Sequence, residues 1–316
     1  MAIALVAWLI FLLHLTIRAR EQHFGRGSSA HPVRSDREGN RLIDRRLFRE
    51  GTFNSRPDKE NMSSPVSNPI RYETILGVRF FIGTAQDAIN EVSRQGGLVV
   101  VPAAPALKNL AHDRQYREAL LGADFAIADS VLMVLLWNLI ERDRIPKLSG
   151  LKYLRALIEQ ADFRQCGRNF WVMPSIDAAN RNAAWLRAKG IPVADEDVHV
   201  APIYGAEISD PELLERLELQ RPKNVILGIG GGTQERLGFY LKKNLNYQPA
   251  IHCVGAAIAF LSGDQVRIPV WADKMGLGWL WRIVSDPMRF VPRYWDARHL
   301  VPLMLRYRDR LPIAGS

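Results

Sequence analysis

Four glycines fall within five positions of "NVILGIGGGTQERLG", Asn224 to Gly238, between an apolar run (Val225, Ile226, Leu227) and a polar Thr-Gln-Glu-Arg cluster. Glycines at a strand-to-helix turn let backbone amides approach a phosphate, and a helix N-terminus adds partial positive charge. The run matches neither common phosphate fingerprint. A P-loop needs Lys-Ser or Lys-Thr after its last glycine, and the third glycine of G-x-G-x-x-G falls here on Thr233. A plain turn with glycines relieving strain is the competing reading.

Two other groups could do chemistry. Asp129, in "ADFAIADSVLMVLLW", closes an apolar run. A carboxylate there can take a proton from a substrate hydroxyl, or simply cap the helix that follows. Lys147 in "IPKLSG", Gln234, Glu235 and the arginines of the C-terminal tail form the second group. Cations and helix-terminal amides can stabilise a departing diphosphate without a metal. Asp195-Glu196-Asp197 precedes a strand rather than ending one, so it reads as a solvated turn. No H-E-x-x-H or G-x-S-x-G pattern occurs. Neither a metal site nor a cofactor is expected.

These residues need a frame. Short apolar runs at 97–102, 125–129, 169–174, 198–202, 224–230 and 250–255 alternate with amphipathic stretches such as "DAINEVSRQ", "DRQYREALLG", "KYLRALIEQADF" and "DAANRNAAWLRAKG". Asp210-Pro211 supplies a cap and first-turn proline for another helix. Alternation of this kind predicts a Rossmann-like α/β fold, a parallel sheet with helices on both faces. Ligands of such sheets sit beyond the carboxyl ends of the strands, where Pro102, Asp129, Pro174 and the Gly230–Glu235 turn fall.

The chain has 316 residues and a formal charge of +9. Residues 1–61 hold 11 basic and 7 acidic side chains and residues 266–316 hold 9 and 4, whereas the middle has 22 of each. A neutral core with basic ends argues against nucleic acid and for termini that meet an anionic surface. Cys166 and Cys253 lack metal-ligand spacing, which suits a reducing compartment. Residues 1–17, "MAIALVAWLIFLLHLTI", form an apolar segment, either a membrane anchor or part of a mis-assigned extension. Residues 18–65 read as a disordered linker, with Met62 an alternative start. The core is expected over 66–263. A helical appendage over 264–316 mixes Trp271, Trp279, Trp281 and Trp295 with Arg267, Arg282, Arg289, Arg293 and further arginines, a composition suited to a membrane interface.

Five stretches carry a family resemblance: "AHDRQYREALLGADFAIADS", "KLSGLKYL", "GGTQE", "VGAAIAFLSGDQVRIPVW" and "GLGWLWRIVSDPMRFVPRYW". Their types and order, over about Ile75 to Tyr294, resemble the WecG/TagA/CpsF family of bacterial glycosyltransferases, glycosyltransferase family 26. The resemblance implies inverting transfer of a sugar from a UDP-sugar to a polyprenyl-diphosphate-linked saccharide, in surface or exopolysaccharide synthesis at the cytoplasmic membrane face. It makes Asp129 the catalytic base. Lys147, Gly231, Gly232, Thr233, Gln234, Glu235, Arg267, Arg282, Arg289 and Arg293 become the UDP-binding set. Partners would be the UDP-sugar, the lipid-linked acceptor and the membrane surface, with a homo-oligomer an open option. Departures are visible. The family's Asp-Gly is Asp129-Ser130, its arginine is Lys147, its Pro-Lys before Gln-Glu is Gly232-Thr233, and its T-x-N becomes Pro102 and Ala104. The last change motivates an alternative, a catalytically silent scaffold of a polysaccharide-assembly complex. An NAD-dependent oxidoreductase would need an acid about 20 residues beyond the glycines, where His252 and Cys253 stand.

Overall fold

Strands β1 (Arg71–Ile75), β2 (Val78–Ile82), β3 (Gly97–Val100), β4 (Phe125–Ile127), β5 (Asn169–Met173), β6 (Val198–Val200), β7 (Asn224–Leu227) and β8 (Ala250–Cys253) build one sheet in the order β1-β2-β4-β3-β8-β7-β5-β6. The computed structural model describes residues 70–141, 144–263, 269, 271–272 and 277–313. Seven strands run parallel and β1 pairs antiparallel with β2 at one edge. All six strands expected from apolar runs are present, each shortened at its carboxyl end. The β1–β2 hairpin is the addition. Its turn places Leu76 and Gly77 at φ of 51° and 77°. A type I′ hairpin turn takes positive φ at both central residues, and a leucine there gives no turn signal in the sequence.

The helices are set by their caps and their apolar spacing. Thr84 and Asp87 form a capping box for Ala85–Gln95, which buries Ala85, Ala88, Ile89 and Val92 on one stripe. Asp113, Ser130, Ser149, Ser175 and Asp210 each accept a backbone N–H at the start of a helix. Helices Ala85–Gln95, Gly150–Ile158, Ile176–Ala188 and Ala257–Ser262 join the core cluster of Val99, Ile127, Trp171 and Ile226 on one sheet face. Thr233–Asn244 covers the opposite face. A Cβ at its Gly238 would lie 2.7 Å from Leu98, 2.9 Å from Cys253 and 3.4 Å from Leu227, so only glycine allows that approach.

Residues 278–313 form three helices, Gly278–Ser285, Pro287–Asp296 and Leu300–Tyr307, in the same compact unit as the core, Ile70–Ser316. The appendage crosses the carboxyl edge of the sheet. Arg282 stacks 4.3 Å over Phe260, which follows β8. Leu300, Val301, Met304 and Tyr307 are buried where the last helix meets Val131–Ile140, which follows β4. Leu76 and Gly77 then donate to the Arg308 and Asp309 carbonyls at 2.7 and 2.9 Å. The expected segments 1–17 and 18–65 and the site residue Arg267 lie outside the described residues.

A polar chain runs through the first face of the sheet. Tyr153 Oη donates to His252 Nδ1 at 2.9 Å, His252 Nε2 faces Asn224 Oδ1 at 3.4 Å, and Asn224 donates to Asn169 Oδ1 at 3.0 Å. Burial pushes the pKa of His252 down from 6.5 to about 3, so the ring is neutral. A base with a depressed pKa contributes stability that is present above its unfolded value and lost as pH falls toward the folded one. Acid titration of the wild type from pH 6.5 toward 3 is therefore expected to lower the urea midpoint, with a shallower fall in His252→Gln. At neutral pH, Tyr153→Phe strands a buried acceptor and is expected to cost about 1–3 kcal/mol by urea denaturation.

Candidate functional site

Chain direction picks out the place where a ligand fits. From β5 the chain passes to Ile176–Ala188 on one face and on to β6. From β7 it passes to Thr233–Asn244 on the other face and back to β8. The carboxyl ends of β5 and β7 thus diverge, and open α/β sheets form ligand crevices at such points. The glycine turn lies there. Gly228 donates to the Val172 carbonyl at 2.8 Å. Added Cβ atoms at Gly230, Gly231 and Gly232 would meet nothing within 4 Å. These glycines therefore face open space, and Gly232 takes φ of 93°, a conformation that favours glycine. Thr233 is half-buried behind them at the first turn of the helix.

Gln234 and Glu235 point the other way. They keep only 2% and 0% of their surface exposed. Glu235 Oε2 accepts from Gly232 N at 2.6 Å, and its Oε1 accepts from Gln234 Nε2 at 3.1 Å. Gln234 Oε1 accepts from Gly255 N at 2.6 Å, beyond the end of β8. Both side chains, expected to touch a nucleotide, turn inward here. They brace the turn after β7 to the turn after β8. Burial raises the pKa of Glu235, against the downward pull of its hydrogen bonds from Gln234 and the backbone.

Asp129 stands at the same edge of the sheet, three strand positions from β7. That separation is about 14 Å at about 4.8 Å per strand. The cap of Val131–Ile140 is Ser130, not Asp129. Asp129 Oδ1 instead accepts from Gly150 N at 3.1 Å, at the start of Gly150–Ile158. Its Oδ2 has no hydrogen-bond partner among the described residues. Leu148 N donates to the Ala128 carbonyl at 3.1 Å, which holds the Lys147 segment beside the Asp129 segment. Lys147 itself is half-buried. Between the two ends of the site, Pro102 and Ala104 are both buried and apolar.

The appendage supplies the cations. Arg282 Nη1 donates to Tyr294 Oη at 3.3 Å, while its Nε is enclosed without a hydrogen-bond partner among the described residues. Arg289 and Arg293 lie one turn apart on Pro287–Asp296. Arg293 is solvent-facing as a whole side chain, yet protein surrounds enough of its head to lower its pKa by desolvation. Tyr294 opposes that shift, and the charges of Arg282 and Arg289 add to it. A guanidinium group disfavoured by two neighbouring cations suits an anion. Among the described residues no group of His, Cys, Asp or Glu could hold a metal ion. Asp195–Asp197 is a 3-10 turn in which Asp197 accepts from Ala194 N, as a capping role requires.

An open parallel sheet with a glycine turn at its switch point and an acid farther along one edge defines a Rossmann-like enzyme frame. The model of the glycosyl transferase WecG/TagA/CpsF family matches residues 73–312, and the chain belongs to that family. It is a glycosyltransferase. Two curated relatives are similar to it, both called N-acetylglucosaminyldiphosphoundecaprenol N-acetyl-beta-D-mannosaminyltransferase. The one from Bacillus spizizenii strain W23 is 22% identical over 212 residues, 63% of this chain and 77% of the relative. The one from Staphylococcus aureus strain MRSA252 is 20% identical over 220 residues, 67% and 84%.

The brace between the two turns can be tested directly. In Glu235→Gln the new amide nitrogen faces the Gln234 amide donor or displaces the acceptor for Gly232 N. Either arrangement leaves a buried donor without an acceptor, so a loss of about 1–3 kcal/mol is expected in urea denaturation. Wild-type stability of this variant would show the brace to be dispensable.

Proposed function

We propose that the chain transfers a sugar from a UDP-sugar to a polyprenyl-diphosphate-linked saccharide with inversion, as a step in cell-surface polymer synthesis. The observation that carries this reading is the shared edge. Asp129, the glycine turn and the arginine-bearing helices all stand at the carboxyl ends of the strands. The lipid-diphosphate acceptor is carried over from the two similar transferases, whose names specify one.

In this reading the nucleotide lies over the turn Gly230–Gly232, where exposed backbone and the N-terminus of Thr233–Asn244 favour phosphate. The sugar extends toward Asp129. An acceptor hydroxyl loses its proton to the free Oδ2 of Asp129, and its oxygen attacks the anomeric carbon. The bond from that carbon to the diphosphate oxygen breaks, and UDP departs with the electron pair. Lys147, Arg282, Arg289 and Arg293 offset the charge that grows on the leaving group. The Gly150 N–H holds Oδ1 and so fixes the orientation of the base.

The same helices offer a docking surface for the lipid-bearing membrane. Val284 and Met288 are 69% and 87% exposed, and the exposed Arg289 follows Met288 directly. No helix of the described residues is long and apolar enough to cross a bilayer. An interfacial contact suits exposed apolar residues with arginines at headgroup depth.

Two measurements check the proposal. Asp129→Asn is expected to lower kcat for transfer of radiolabelled sugar into lipid extract by about 100-fold or more, with donor KM little changed. A near-normal kcat would remove Asp129 as the base. Separately, the chain is expected to sediment with phosphatidylglycerol vesicles, and Val284→Glu/Met288→Glu to stay in the supernatant. Equal sedimentation of both would end the docking assignment.

A further inference from the structure

Lys108 and Asp296 meet between core and appendage, with Nζ 2.5 Å from Oδ2. Lys108 opens the 3-10 turn Lys108–Ala111, just past the exit of β3, and β3 lies between the Asp129 strand and β8. Asp296 ends the helix that carries Arg289 and Arg293. We infer that this ion pair is a positioning contact that holds the arginine-bearing helix over the carboxyl edge of β3 and β4. It thereby sets where Arg289 and Arg293 stand relative to Asp129. The anion they meet rests on the UDP-sugar reading, whereas the docking of the helix does not.

The rest of the appendage is fastened at its two ends. The last helix buries four apolar residues, its outgoing chain pairs with the β1–β2 turn, and Arg308 lies 3.6 Å from Glu141. At the other end Arg282 stacks on Phe260. The helix between them buries a single residue, Phe290. One apolar contact is a weak hold for a ten-residue helix whose stability depends on packing.

Charge explains what Asp296 is doing there. An acid at a helix C-terminus opposes the helix dipole, and a cation placed there relieves it. Lys108 supplies that cation from the core. Among the described residues it makes the only ion pair between Pro287–Asp296 and the core. The charges of Arg282 and Arg289 disfavour the neighbouring Arg293 cation, and the Lys108–Asp296 pair is an attractive contact on the same helix.

The side chains remain 25% and 44% exposed, so the pair is open to screening by salt. The test uses the full chain, hydrogen exchange over 287–296, and calorimetric titration with UDP and with uridine. Lys108→Met and Asp296→Asn are each expected to speed exchange in 287–296 by about two- to fivefold, as befits an exposed pair. Sodium chloride at about 1 M is expected to do the same to the wild type and to add little in either variant. The reversed pair, Lys108→Asp with Asp296→Lys, is expected to restore slow exchange, which a merely structural loss at either position would not do. Both single variants are expected to weaken UDP about two- to fivefold and to leave uridine unchanged. Unaltered exchange in both single variants, or no recovery in the reversed pair, overturns the inference. A wild type that ignores UDP while its exchange still responds would overturn the donor reading and leave the ion pair's role standing.

Discussion

Parallel strands that stop at one edge of a sheet leave backbone N–H groups there that water, a side chain or a ligand must satisfy. In this protein the adjacent pair Gln234 and Glu235 settles that requirement for two turns at once. The carboxylate takes the Gly232 N–H and the amide takes the Gly255 N–H. Because the two side chains also bond to each other, the turns after β7 and β8 are held as one piece. With both residues turned inward, the outer surface of Gly230–Gly232 is left as bare backbone. The bareness of the turn's outer face is thus a consequence of where its two most polar side chains are committed.

The same logic operates at the Asp129 end with a different outcome. There the acid accepts a single N–H, from Gly150, and only one of its oxygens is engaged. Ser130 and Ser149 cap the neighbouring helices and relieve Asp129 of that duty. Two carboxylates on one sheet edge therefore take opposite parts. Glu235 is fully enclosed and structural, while Asp129 is half-buried with an oxygen to spare.

Much of this frame was legible in the sequence, because buried parallel strands are continuous apolar runs and several helices begin with a Ser, Thr or Asp cap. The β1–β2 hairpin escaped because its turn uses Leu76 at positive φ, where turn chemistry would place asparagine or glycine. The inward direction of Gln234 and Glu235 was also hidden. Polar residues after a glycine run look like ligand contacts, and only the position of Gly255, twenty residues downstream of Glu235, reveals what they hold. The pairing of Lys108 with Asp296 joins residues 188 positions apart, and no local pattern encodes that meeting. What the sequence did show at that point was a pair of basic and acidic side chains with ordinary helical neighbours.

A roof made of like charges has a consequence for how the site works. Desolvation disfavours the Arg293 cation, and the charges of Arg282 and Arg289 add to that. An anion entering beneath them would be attracted by each guanidinium group and so offset that unfavourable charge. In the proposed transfer the leaving diphosphate carries more charge than the esterified one, so these cations would favour the state after bond cleavage over the state before it. That ordering is what a transferase needs from its cations.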